Sequence, residues 1–304
     1  MTSAGTKRTG RLLGGLCAAA FGWCWPVAGH AQDDAAAQKF REGRALYDQH
    51  KYAEATARFE AARTLAPDNS GYAQWLGRGY GLQARQARLF SRPGLATRSR
   101  EALELAVKLD PANNGARSDL AAYYAAAPGF MGGGMAKASA QIEAIRKTDP
   151  YLGQLRAADL LADNKQTREA ESAYQVAAAI DPVRPEARAR LGWLFTENAR
   201  YNEAFAAWDE LLRVHPAYPR ALYGLGRTAA LSRQRTVEGE GALRKFLGAG
   251  PEPEGPLPAR AHAYLGMLCA QRGDRTAARR EYEAALHLDP TLPEAKSGLA
   301  TLGQ

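Results

Sequence analysis

Residues 127–138, Ala-Pro-Gly-Phe-Met-Gly-Gly-Gly-Met-Ala-Lys-Ala, set four glycines and a proline ahead of a lysine, the residue types from which phosphate-binding loops are made. Such a loop needs a preceding strand, the frame Gly-x4-Gly-Lys-Ser/Thr, and backbone N–H groups converging at a helix start. Counted from Gly129 the second glycine falls on Gly134, but Met135 follows where lysine is required, and no strand pattern precedes it. Gly77-Arg78-Gly79-Tyr80-Gly81 fails in the same way, because the Gly-x-Gly-x-x-Gly frame ends in Leu82 and lies in a helical pattern. No nucleotide cofactor is expected. His50, His215, His262 and His287 are scattered, and His262 and Cys269 stand seven apart, about 10 Å along a helix at ~1.5 Å per residue, too far for a nucleophile and its base. There is no His-Glu-x-x-His, Cys-x-x-Cys or Gly-x-Ser-x-Gly. No catalytic residue or metal ligand is therefore assigned; an enzyme with an unrecognised site is the minor reading.

The elements that would position any site are repeated helices. Seven prolines, Pro67, Pro111, Pro150, Pro182, Pro216, Pro251 and Pro290, close successive helical runs at steps of 32 to 44 residues. Proline can begin a helix but cannot continue one, so each closes a unit. About 24 residues before most of these prolines, and 34 and 29 before Pro111 and Pro150, a small residue follows another residue, in most units an apolar one, as in Leu76-Gly77, Leu120-Ala121, Leu191-Gly192, Leu225-Gly226 and Leu265-Gly266. Twelve residues later comes a second small residue, Ala55, Ala170, Ala204 or Ala278, and after the five extra residues of unit three, Ala138. Small side chains let two helices of a hairpin approach closely, while Phe59, Tyr174, Trp208 and Tyr282 fill the space beside them. The apolar period is helical throughout.

Two units carry a resemblance to the tetratricopeptide repeat most fully. One supplies Leu265, Gly266, Gly273, Ala278, Tyr282, Ala285 and Pro290; the other supplies Leu191, Gly192, Tyr201, Ala204, Trp208 and Pro216. The resemblance implies an all-α, right-handed superhelical solenoid over residues 32–304. Its units fall at about 35–68, 69–112, 113–150, 151–183, 184–217, 218–251 and 258–291, with a closing helix at 292–302. It further implies a concave face, lined by the first helix of each hairpin, that holds a protein or peptide partner. Projected onto this chain, the groove positions include Arg44, Tyr47, Gln74, Arg78, Trp193, Arg220, Tyr223, Arg227, Arg260 and Met267. Arginine and aromatic residues dominate interface energetics; ordinary solvated helix positions are the rival reading. The family's carboxylate clamp is not reproduced, since Phe40 and Arg44 occupy its first two positions.

Units two, three and six depart by insertion, and in units two and three the excess is placed in the hairpin turns at 86–98 and 128–135. Insertions at equivalent turns of neighbouring repeats project from one edge. The first turn is basic, with Arg88, Arg92 and Arg98 around Phe90; the second is expected to use its glycines for positive φ and to present Phe130 and Met131 at its tip. A recognition ridge and a merely tolerated insertion are equal readings of this pair.

The N-terminus carries Lys7, Arg8 and Arg11, then an apolar run from Leu12 to Val27 and small residues Gly29 and Ala31, the pattern of a cleaved secretory signal over 1–31 with Gln32 as the first mature residue. The run is too short and too broken by Gly14, Gly15, Gly22 and Pro26 for a membrane span, and neither Cys17 nor Cys24 sits in a lipidation site. Cleavage leaves Cys269 as the single cysteine. The full chain has 40 basic and 32 acidic side chains, net +8, with signs interspersed rather than gathered into a nucleic-acid footprint. The expected protein is a periplasmic or secreted bacterial scaffold without catalysis, cofactor or nucleic-acid partner. An assembly factor for envelope polysaccharide or outer-membrane machinery is the alternative.

Overall fold

The computed structural model describes residues 27–249 and 257–303, with side chains from residue 32. The signal expected over 1–31 therefore lies largely outside the described residues, as does Pro251. Among the described residues there are fifteen α-helices and no strand. They run α1 (Val27–Asp48), α2 (Tyr52–Leu65), α3 (Ser70–Gln86), α4 (Arg92–Leu109), α5 (Asn114–Ala126), α6 (Met135–Thr148), α7 (Pro150–Asp163), α8 (Thr167–Ile180), α9 (Glu186–Glu197), α10 (Tyr201–Val214), α11 (Pro219–Ser232), α12 (Thr236–Gly248), α13 (Leu257–Gln271), α14 (Arg275–Leu288) and α15 (Pro293–Leu302). Each odd-numbered helix up to α13 packs on the even one after it, each hairpin packs on the next, and α15 covers α13 and α14. The odd helices also meet one another along one side of the array. This is a helical solenoid.

The aspartate-proline pairs do two jobs at the joints. Asp110, Asp181 and Asp289 each accept a hydrogen bond from the backbone N–H two residues on, at Ala112 (2.9 Å), Val183 (3.0 Å) and Thr291 (2.9 Å). The side chain thus closes a turn locally while the intervening proline stops the helix. At Asp149-Pro150 the same pair starts a helix instead, because Asp149 accepts from Leu152 N at 2.8 Å and Pro150 takes the first helical position.

Within the hairpins, Ala55, Ala138, Ala170, Ala204 and Ala278 are fully buried, as the repeat register requires. Large side chains then wedge between successive odd helices. Trp208 on α10 is fully buried, and a Cβ added at either Gly192 on α9 or Gly224 on α11 would sit 2.5 Å from its Cζ2. One indole therefore packs against its own hairpin and the next. Tyr282 repeats the arrangement between Gly266 and Gly298. The cluster that includes Trp208 runs continuously from Tyr151 to Leu268, so hairpins four to seven share one core.

Turn geometry divides the hairpins into two kinds. Four short turns pass through a left-handed non-glycine residue, at His50, Lys165, Ala199 and Arg233, and the seventh uses Gly273. Hairpins two and three instead insert a single 3₁₀ turn, Leu89–Ser91 and Gly129–Met131.

Substituting Gly192→Leu should force Trp208 off both neighbouring helices and cost about 1–3 kcal/mol by overpacking. Urea unfolding followed by circular dichroism reads the loss directly.

Candidate functional site

The glycine-rich turn is built for its own backbone. Gly132 and Gly134 take φ of 86° and 152°, and a Cβ on Gly133 would collide with the Ala127 carbonyl. The N–H groups of Gly132, Gly133 and Gly134 donate to Gly129 O, Pro128 O and Tyr124 O at 2.9, 3.2 and 2.8 Å. Lys137 Nζ donates to Gly132 O at 2.8 Å and lies 5.5 Å from the Tyr124 ring centroid. The amides and the lysine that would hold a phosphate are thus spent on the turn itself.

Two expectations for these turns are corrected. Met131 is half-buried: Tyr123 Oη donates to its carbonyl at 3.0 Å and its side chain lines a cleft, so Phe130 alone, 89% exposed, stands at the tip. Arg92 and Arg98 are not loop residues. Pro93 at the start of α4 favours helical backbone, so the extra length of hairpin two is taken up mainly by an 18-residue helix that includes both arginines.

Along the concave side the odd helices are joined by a regular set of contacts. The residue just after the small residue of one hairpin reaches the residue two before the small residue of the next. Arg44 after Gly43 lies 3.7 Å from the centroid of Trp75, two before Gly77. Arg78 Nε donates to Asp119 Oδ2 at 2.6 Å, Arg190 Nε to Asp159 Oδ1 at 2.9 Å, and Arg227 Nε to Tyr264 Oη at 3.1 Å. These four rungs occupy four of the six junctions between hairpins. At the junction of hairpins three and four, Ala122 has no such reach, and Arg156 donates to Ser118 Oγ at 3.3 Å instead. Between hairpins five and six the second position is Gly224, and Trp193 packs against Tyr223 with ring centroids 5.8 Å apart.

The projected groove residues therefore divide. Tyr223, 4% exposed, and Gln74, 7% exposed, are core and not surface, and Gln74 Nε2 donates to Asp119 Oδ2 at 2.7 Å. This corrects the expectation that Arg220, Tyr223 and Arg227 form one accessible face: Arg220 is exposed, but the tyrosine between them is not. Arg44, Arg78 and Arg227 are held by rungs, and Arg227 also pairs with Glu197 at 2.7 Å. Burial pushes the guanidinium pKa down, but Glu197 and Tyr264 together raise it above its ordinary value. Tyr47 packs edge-on to Trp75, while Trp193 and Met267 remain half-exposed and Arg260 exposed.

Sequence reasoning passed over the partners Trp75, Asp119, Arg156, Asp159, Arg190 and Tyr264. Their signal was present as a fixed offset from each small residue, one repeat away from a complementary side chain. The densest node is Asp159, which accepts from Arg156 Nη1 (2.8 Å), Arg190 Nε and Tyr174 Oη (2.9 Å) beside a groove pocket of about 480 Å³. Burial, then the Asp159 charge, raises the Tyr174 phenol well above its ordinary range.

The residues weighed for catalysis are separate. His262 Nδ1 is 2.8 Å from Glu281 Oε2, and Cys269 is fully buried with its thiol pushed up by desolvation and then by Glu240. Among the described residues no three His, Cys, Asp or Glu side chains are placed to share a metal ion. None of the described helices is long and apolar enough to cross a membrane.

A solenoid of helical hairpins with a side-chain-lined concave face defines the class. Family models described as tetratricopeptide repeat match residues 189–252 and 259–292, and the chain is a tetratricopeptide repeat protein. It is 29% identical over 152 residues to the cellulose synthase operon protein C of Pseudomonas fluorescens (strain SBW25). That match takes in 45% of this chain and only 12% of the relative's length. Among solved structures it is similar to a tetratricopeptide repeat protein from Parabacteroides merdae, with TM-score 0.50, 14% identity, and 89% and 100% of the two chains covered. It is also similar to IFIT1, TM-score 0.58 and 16% identity over 88% of this chain and 62% of the other. At these identities the structural likenesses carry the fold alone.

Replacing Asp159 with alanine leaves two guanidinium groups and a phenol without their shared acceptor. Because the arginines are partly solvated, the expected cost is about 1–2 kcal/mol. The melting temperature should fall by roughly 2–8 °C, a range readable by calorimetry.

Proposed function

We propose that this chain is a non-catalytic scaffold of the bacterial envelope that holds a protein partner along its concave face. The observation that carries the reading is the preorganisation of that face. Trp75 is half-exposed beneath Arg44 and Arg78, whose guanidinium carbons lie 3.7 and 4.7 Å from its centroid, and Trp193 is half-exposed with Arg227 at 5.5 Å. Tryptophan and arginine are the side chains that anchor interfaces, and fixing them before binding reduces the entropy lost on association. Placement in the envelope rests on the charged-then-apolar N-terminus, and the absence of catalysis on the separation of the histidines from Cys269. Arg220, Arg260 and Met267 would extend the contact toward the C-terminal hairpins.

The likeness to a cellulose synthase operon protein favours a second, finer reading, in which the partner belongs to machinery that assembles or exports an envelope polysaccharide. It covers too little of that relative to bring its whole activity to this chain.

A photo-crosslinking residue placed at Trp193 or Arg260 in living cells should yield one discrete protein adduct. The same residue at Val176, exposed on the outer face of α8, should yield none. Adducts from Val176 alone would move the interface off the groove; mass spectrometry of the adduct decides whether it is a polysaccharide-synthase component.

A further inference from the structure

The two long hairpin turns repeat one another in detail. Each leaves its helix through an alanine and an extended residue, Arg88 (φ −63°, ψ 152°) or Pro128 (φ −60°, ψ 154°), and then makes one 3₁₀ turn with phenylalanine at its centre. Phe90 is 96% exposed, Phe130 89% and Leu89 71%. Between the turns lies an open cleft of about 510 Å³ walled by Leu89, Pro93, Tyr123, Pro128 and Met131, with Arg85 and Arg92 on its rim.

Much of the charge of this edge is uncompensated. From residue 69 to 100 there is no acidic side chain and there are six arginines, of which Arg78 pairs with Asp119 and Arg100 with Glu104. Elsewhere arginines such as Arg156, Arg190, Arg200 and Arg235 are paired with carboxylates. Arg85, Arg88, Arg92 and Arg98 are exposed, and none has a salt-bridge partner among the described residues. Arg92 donates only to Ala87 O at 2.9 Å, and Arg98 lies over Tyr80.

Part of the polar backbone of the tips is already satisfied from within. Arg88 O accepts from Ser91 N, Pro128 O from Met131 N and Gly133 N, Gly129 O from Gly132 N, Met131 O from Tyr123 Oη, and Gly132 O from Lys137 Nζ. An apolar tip with part of its backbone already hydrogen-bonded, flanked by four guanidinium groups without carboxylate partners, suits a layer of anionic headgroups over hydrocarbon, where open backbone groups would be costly.

We propose that the turns at 87–93 and 127–134 form a peripheral docking edge for an anionic lipid surface. Phe90, Phe130 and Leu89 enter the interface, and Arg85, Arg88, Arg92 and Arg98 meet lipid phosphates.

The test uses full-length chain with vesicles of phosphatidylglycerol mixed with phosphatidylcholine, against phosphatidylcholine alone. The apolar run at 12–27 is common to every variant, so a residue-specific probe is needed. With Cys17 and Cys24 changed to serine, a solvatochromic dye on Phe90→Cys or Phe130→Cys should shift to the blue with the anionic vesicles only. The same dye on Val183→Cys, in the turn between α8 and α9, should not shift. Each of Arg85→Gln, Arg88→Gln and Arg92→Gln should lower the lipid concentration dependence of the shift about fivefold, and added salt should act in the same direction. Unchanged helical content and melting confirm that these exposed substitutions leave the fold intact. No shift at positions 90 and 130, or an equal shift at 183, overturns the proposal. So does a shift produced by an acidic leucine-bearing peptide but not by vesicles, which would make the edge a protein-binding surface. Loss of the groove crosslink with the vesicle response intact would overturn the scaffold reading and leave this one standing.

Discussion

The fold depends on large side chains that have no room of their own. Trp208 is wholly buried because Gly192 and Gly224, on the helices before and after it, leave the space a Cβ would take. The same ring therefore stabilises its own hairpin and fixes where the next one lies. Tyr282 does this between Gly266 and Gly298, Phe59 lies against Gly43, and Leu243 against Gly226. A hairpin alone would leave Trp208 and Tyr282 without the neighbour that covers them, so the units gain stability chiefly from their neighbours, as in other linear repeats. Dispersion and apolar burial fix the spacing of the array; the concave rungs add direction.

Those rungs impose a constraint on function. Arg44, Arg78, Arg190 and Arg227 lie where a partner would sit, yet each is engaged with a neighbouring hairpin. A partner that recruited them through carboxylates would compete with Asp119, Asp159 and Glu197 and would loosen the joints it binds across. Stacking on the half-exposed tryptophans leaves the joints intact. The polar contacts of the groove thus serve rigidity first, and recognition rests on aromatic faces and on the exposed arginines between rungs.

The repeat was legible because its chemistry is local and periodic: an aspartate-proline turn, a glycine at a close approach, an alanine twelve residues later. The glycine-rich stretch was legible as a turn because its frame lacked a lysine, and Gly132 and Gly134 adopt the positive φ that only glycine takes easily. What escaped depended on partners a repeat away. Tyr223 has the residue type and spacing of a surface anchor, but the rings of Trp193, Phe246 and Tyr264 converge on it from three other helices. Arg92 and Arg98 belong to a longer helix because Pro93 can start one, an outcome that loop length alone does not distinguish from a basic loop.

The central claim is that one buried ring couples adjacent hairpins, and a double-mutant cycle between Trp208→Leu and Gly224→Ala measures that coupling directly. A Cβ at Gly224 clashes with the indole but not with a smaller side chain, so the alanine should be destabilising beside tryptophan and nearly neutral beside leucine. The account predicts a coupling energy of about 1–3 kcal/mol in urea unfolding. Additive single effects would show that the ring stabilises only its own hairpin and that the hairpins are aligned by something else.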